Sequence, residues 1–130
     1  MPEAHRTALI VDDDATIRNL LGAVMKRFGF ECEFASDGAV AIERLAGRAY
    51  SIMLLDLMMP NVDGFGVLAE MRRRSLSTPV IVITAAGPRR INDLDMSLVA
   101  GVLNKPFELS DLVDTVSAIC EPRARSEKEA

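Results

Sequence analysis

The chain has 130 residues, 49% of them hydrophobic and 26% charged, with a net charge of −4 at pH 7. This is the composition of one ordinary globular domain able to bury a core, and its acidic balance argues against direct nucleic-acid binding. No apolar run approaches the roughly 20 residues of a membrane span, and the polar start Met1–Arg6 leads into a strand rather than a signal peptide.

Thr7 to Val11 is a short apolar run that reads as a strand, ending in Asp12, Asp13 and Asp14. Ile17, Leu20, Leu21, Val24, Met25 and Phe28 then recur with helical period. Asp14 suits the N-cap and Gly29 the stop. Glu31 to Ala35 alternates polar and apolar residues, as a half-exposed edge strand does. Ser36-Asp37-Gly38 turns into a second helix, whose apolar positions are Val40, Ala41, Ile42, Leu45 and Ala46. Ile52 to Leu55 is an unbroken apolar run that stops at Asp56, before Pro60 and Asp63-Gly64. It reads as a strand buried on both faces. A helix is expected over about 65–74, with Val67, Leu68 and Met71 inward. Arg72, Arg73 and Arg74 close it and read as a solvated helix end.

Val80 to Ile83 is a further buried strand, ending at Thr84. Gly87-Pro88 opens a short helix with Ile91, Leu94 and Leu98 on one face. A brief strand over about 101–104 stops at Lys105-Pro106-Phe107. The last helix carries Leu109, Leu112, Val113, Val116, Ile119 and Cys120. The domain is expected over 1–120, with 121–130 a charged, disordered tail or linker start. His5 sits in a frayed N-terminus without a catalytic role. Cys32 and Cys120 fit no metal spacing and read as reduced thiols of a cytoplasmic protein. The seven methionines read as core fillers.

The pattern is therefore βα repeated, which makes an α/β fold with one parallel sheet and helices on both faces. The distribution of apolar and alternating strands suggests the order 2-1-3-4-5. Parallel strands end on one rim, so Asp12, Asp13, Asp56, Thr84 and Lys105 should converge there. Crowded carboxylates call for a hard divalent ion such as Mg²⁺. Asp56 could then attack a phosphoryl group and form an acyl phosphate, with Lys105 and Thr84 serving the phosphoryl oxygens.

Val11-Asp12-Asp13-Asp14, Asp56-Leu57-Met58-Met59-Pro60-Asn61-Val62-Asp63-Gly64, Thr84-Ala85 and Lys105-Pro106-Phe107 together resemble the receiver domain of two-component response regulators, over about residues 6 to 120. The resemblance implies a (βα)5 flavodoxin-like three-layer sandwich. It makes Asp56 the phosphoacceptor, served by a phosphohistidine of a sensor histidine kinase or phosphotransfer protein. It gives Mg²⁺, with Mn²⁺ as a substitute, the ligands Asp12 (mainly through water), Asp13, Asp56 and the Met58 backbone carbonyl. Thr84 follows the phosphoryl group and shifts its loop. Lys105 pairs with the phosphoryl oxygens, and its bond to Pro106 is expected to be cis. An output partner would read the face of the fourth helix, fifth strand and last helix, and weak homodimerisation is a further expectation.

Two departures stand out. Val102 occupies the place where the family commonly has an aromatic switch residue. The segment from Thr84 to Lys105 is about one residue short, so the fourth helix is expected to be short or shifted. Two alternatives follow. A phosphorylation-independent binding module would keep only the fold. An aspartate-nucleophile phosphohydrolase would need a second acid where Met58 stands, which argues against an enzyme with turnover. The small side chain of Ala86 and the apolar one of Met58 predict slow self-dephosphorylation.

Overall fold

The computed structural model describes residues 6–92, 94 and 96–129, the side chains of 88, 89 and 120–129 excepted. Five strands alternate with five helices: β1 Arg6–Val11, α1 Ala15–Arg27, β2 Phe30–Ala35, α2 Gly38–Gly47, β3 Ile52–Leu55, α3 Gly64–Arg73, β4 Val80–Thr84, α4 Pro88–Asn92, β5 Val99–Asn104 and α5 Leu109–Glu129. All strand pairs are parallel, in the order β2-β1-β3-β4-β5. His5 and the Cys120 side chain lie outside what is described.

The period-2 pleat of each central strand divides its side chains between two cores. Leu9, Val11, Met53, Leu55, Val80 and Val82 face Ala41 and Leu45 of α2 and Val67, Leu68 and Met71 of α3. Ala8, Ile10, Ile52, Leu54, Ile81 and Ile83 face Leu21, Val24 and Met25 of α1 and Leu112 and Val116 of α5. Every residue of β3 and β4 is buried, which is why those strands are apolar without alternation. Full burial of a side chain such as Leu54 or Ile81 contributes roughly 1.5–3 kcal/mol. β2 pairs with β1 alone, and its alternation is that of an edge.

The helix starts follow local chemistry. Asp14, Asp37 and Asp63 cap α1, α2 and α3, each accepting backbone N–H bonds from the first turn. At the end of α3, Arg73 and Arg74 both pair with Glu70 rather than being simply solvated, holding that carboxyl down at about 2.

Three extents differ from the sequence reading. β5 starts at Val99, two residues earlier than expected, because a register shift after Val80 passes over Ala100 and leaves its side chain exposed. α4 is a single turn of five residues, and Leu94 is buried beyond its end. α5 stays helical to Glu129, through the segment where a disordered tail was expected. Ala, Arg, Glu and Lys dominate that stretch, and all favour helix.

Candidate functional site

Strand register places the chemistry. Val11 is paired with Leu55, and Leu55 with Val82. The residues that follow, Asp12 and Asp56, therefore leave the sheet side by side. Asp56 N–H donates to Val11 O at 3.0 Å, and Asp12 N–H to Ala35 O at 3.2 Å. Thr84, the last residue of β4, is paired with Asn104, and its carbonyl accepts from Lys105 N–H at 2.9 Å. Asp12, Asp56 and Thr84 are 1%, 3% and 0% exposed. With Thr7, they are the buried polar residues among those described.

Each buried group is satisfied. Lys105 Nζ donates to Asp12 Oδ2 at 2.9 Å and to Asp56 Oδ2 at 3.2 Å. Asp12 Oδ1 accepts from Asp14 N–H at 2.9 Å, and Asp56 Oδ1 from Met58 N–H at 3.1 Å. Thr84 Oγ1 accepts from Ala86 N–H at 3.1 Å, which ties the hydroxyl to the loop after β4. Burial pushes the Asp12 carboxyl above its ordinary value, against the pull of Lys105 and the Asp14 amide. Burial also opposes charge on Lys105, but Asp12 and Asp56 outweigh it and hold the ammonium above its ordinary value. The Lys105–Pro106 peptide is cis.

Carboxylate oxygens of Asp12, Asp13 and Asp56 lie within 4.8 Å of one another, with Asp13 exposed and the other two buried. Hard oxygen donors in this number suit Mg²⁺, which takes one or two carboxylates and fills its remaining positions with water and phosphate. The donor set therefore fits the ion expected from the sequence, and Mn²⁺ by the same chemistry. Met58, two residues after Asp56, is 49% exposed; its backbone N–H is the donor to Asp56 Oδ1.

Two contacts escaped the sequence reading. Arg18 Nη1 donates to the Asp12 carbonyl at 2.6 Å, pinning the β1–α1 turn from the first turns of α1. Arg90 of α4 stacks over the Phe65 ring at 4.5 Å and borders a cleft of about 320 Å³ with Leu57, Met58, Met59, Pro60 and Asp63. Neither has a local signal, since both are single arginines on helices. Val102 is partly buried and packs against the α2–α3 core. A larger cleft of about 610 Å³, lined by Leu45, Arg48, Tyr50, Ser75 and Thr78 among others, contains none of the strand-end groups.

Residues 8–117 match the family described as the response regulator receiver domain. The chain is 37% identical over 112 residues to the transcriptional regulatory protein CpxR homolog of Haemophilus influenzae, covering 85% of this chain and 48% of that protein. It is 38% identical over 114 residues to protein PetR of Rhodobacter capsulatus, covering 85% and 47%. The chain thus spans about half the length of these curated relatives. Among solved structures, the chemotaxis response regulator CheY4 of Vibrio cholerae superposes with a TM-score of 0.80 at 26% identity, covering 89% of this chain and 99% of that one. The response regulator TrrA of Thermotoga maritima, solved in complex with Mg²⁺ and BeF, gives 0.77 at 27% identity, covering 88% and 98%.

Proposed function

The chain belongs to the response regulator receiver domain family, a signalling family with a phosphoacceptor role in two-component systems, and we propose that Asp56 is the residue that takes the phosphoryl group. The observation that carries this is the Lys105 ammonium fixed between Asp12 and Asp56 at the end of the sheet. It presents one buried carboxylate, a cation for phosphoryl oxygens and a neighbouring acid pair in a single cluster.

The donor is a phosphohistidine of a sensor kinase or phosphotransfer protein. A carboxylate oxygen of Asp56 attacks phosphorus, the P–N bond to the imidazole breaks, and the departing nitrogen takes up a proton. Asp12, Asp13, Asp56 and the Met58 carbonyl would hold Mg²⁺, which when bound neutralises charge on the phosphoryl oxygens. Lys105 exchanges its contact with Asp56 Oδ2 for the transferred group. Thr84 donates its hydroxyl proton to a phosphoryl oxygen, and movement of that hydroxyl carries the Ala86 amide with it. The domain catalyses its own phosphorylation without multiple turnover, because Met58 stands where a hydrolase needs an acid. The output partner reads α4, β5 and α5, and weak self-association remains part of this reading. Among the described residues no helix is long and apolar enough to cross a membrane; a cytoplasmic site of action follows from the proposed kinase partner.

The test is incubation with Mg²⁺ and a small acyl-phosphate donor, read by intact mass, with Asp56→Asn as control. One phosphate adduct, lost in the variant, supports the reading. Rapid multiple turnover favours a phosphohydrolase, and no adduct favours a phosphorylation-independent binding module.

A further inference from the structure

The loop from Asp56 to Asp63 is fastened at its base. Gly64 N–H donates to Leu57 O at 3.0 Å, Leu57 is fully buried, and Asp63 accepts from Gly66 N–H at 2.9 Å. Its far side is fastened elsewhere, to the first residues of α2. Asn61 Nδ2 donates to Asp37 Oδ2 at 3.1 Å, and Gly38 N–H donates to Val62 O at 3.0 Å. Asp37 uses its other oxygen to cap α2 through Val40 N–H at 2.9 Å. One carboxylate therefore joins a helix start to the site loop.

The backbone has been shaped to allow this. Asn61 takes a left-handed conformation, φ 66°, which Asn tolerates better than most residues. A Cβ on Gly38 would fall 2.1 Å from Val62 O and 2.8 Å from Val62 C. Those are backbone atoms, so no rotamer change could make room. The Val40 amide and then Asn61 hold the Asp37 carboxyl below its ordinary value, in keeping with an anion that accepts both bonds.

We propose that Asp37, Gly38 and Asn61 form a clasp that sets the β3–α3 loop, and with it the Met58 carbonyl, for metal binding beside Asp56. These are positioning residues; none is placed to touch the phosphoryl group. The inference rests on the reading of Asp56 as phosphoacceptor and Met58 as metal ligand. Its physical basis is that the span Met58–Pro60 lies between two anchors, the base at Leu57–Gly64 and the clasp at Asn61–Val62. Releasing the second anchor lets that span sample more conformations. Ordering it on metal binding then costs conformational entropy that the clasp has already removed.

The test uses Asn61→Gly, which keeps the left-handed backbone accessible and removes the amide. Asp37→Ser keeps a capping oxygen but is too short to reach Asn61. The readouts are the Mg²⁺ dissociation constant by calorimetry on unphosphorylated protein and hydrogen exchange of the Met58 and Met59 amides without metal. Each single variant is expected to weaken Mg²⁺ binding by about tenfold, the low end for residues that orient metal ligands, and to speed exchange of those amides. The double variant is expected to be no weaker than the worse single one, because both remove the same bond. Unchanged Mg²⁺ binding with wild-type exchange in the loop overturns the inference, as does a double variant whose loss is the product of the two. If Asp56→Asn still accepts phosphate, the underlying reading fails instead. If Asp56 is the acceptor and the clasp variants bind Mg²⁺ normally, only the clasp fails.

Discussion

Lys105 and Asp56 meet across two strand ends, the ammonium nitrogen 3.2 Å from Oδ2 of the carboxylate, and the same nitrogen reaches Asp12 at 2.9 Å. One cation thus separates two buried acids. Replacing it with methionine leaves both facing each other in an apolar setting. Lys105→Met is expected to lower metal-free stability by about 2 kcal/mol, less than the loss for a fully buried pair because Lys105 keeps some solvent contact. Saturating Mg²⁺ should remove most of that difference, and phosphorylation should remain slowed. Urea unfolding with and without Mg²⁺ checks this. A deficit that Mg²⁺ does not reduce would falsify the shared-charge account.

Asp13 is the exposed member of the acid cluster. Asp13→Ala should therefore change folding stability by no more than about 0.5 kcal/mol, as for other surface substitutions. Its Mg²⁺ affinity should fall by at least about tenfold, since a carboxylate ligand is lost. Calorimetry and thermal melting separate the two effects.

Met58 is half exposed and Ala86 is 8% exposed, and neither side chain can hydrogen-bond an attacking water. The aspartyl phosphate is expected to persist for minutes or longer in the isolated domain. Met58→Asn, which can orient a water, should shorten its life several-fold. Loss of the phosphate adduct is followed by intact mass after donor removal; wild-type release within seconds contradicts the prediction.

Gly64 begins α3 directly against Asp56 and Leu57, the residues that follow β3. A Cβ there would lie 2.6 Å from both Asp56 O and Leu57 Cα. Gly64→Ala is expected to cost about 2 kcal/mol through this overpacking, despite alanine's better helix propensity. Because the displaced atoms belong to Asp56 and its neighbour, the phosphorylation rate should fall as well. Chemical denaturation and the mass assay measure the two losses.

Tyr50, the chain's one tyrosine, donates to Glu33 Oε1 at 2.5 Å, and Arg48 donates to Glu33 Oε2 at 2.5 Å. Burial, then Glu33, pushes the phenol up to about 12 from 10.0. A phenol raised in the folded state contributes stability below pH 10.0 that is lost as pH rises through about 12. Glu33 is lowered, first by Tyr50 and, against the opposing effect of burial, also by Arg48; its contribution is present above 4.5 and lost as pH falls through its folded value. Ultraviolet titration should place the phenolate midpoint near 12. Tyr50→Phe should cost about 1 kcal/mol and leave phosphorylation unchanged, because this cluster is remote from the strand-end site.

The parts of the fold that local pattern controls were legible in the chain. The four apolar residues before Asp56 are the whole of β3, buried throughout. Of the predicted period, Ile17, Leu21, Val24 and Met25 form the inner side of α1 and Phe28 its C-cap, while Leu20 is exposed. Parallel strands share one exit rim, so Asp12, Asp56, Thr84 and Lys105 could be expected together once their runs were recognised as strands. Extents were less legible where a neighbour decides them. β5 begins at Val99 because β4 supplies partners on both sides of a register shift, and no local signal in Val99-Ala100-Gly101 announces it. The tail's lack of large apolar residues suggested disorder, but α5 runs on to Glu129, because composition without apolar residues does not by itself bar a helix rich in Ala, Arg, Glu and Lys.

The sequence by itself determined which residues end β1, β3 and β4, because burial on two faces demands unbroken apolar runs and those runs stop at acids and a threonine. Only the tertiary structure decided what those residues do to one another. Lys105 lies between Asp12 and Asp56, and Asp37 reaches Asn61. Each contact joins residues from different elements. Their meeting depends on strand register and helix packing over the whole domain, and no window of the chain contains that information.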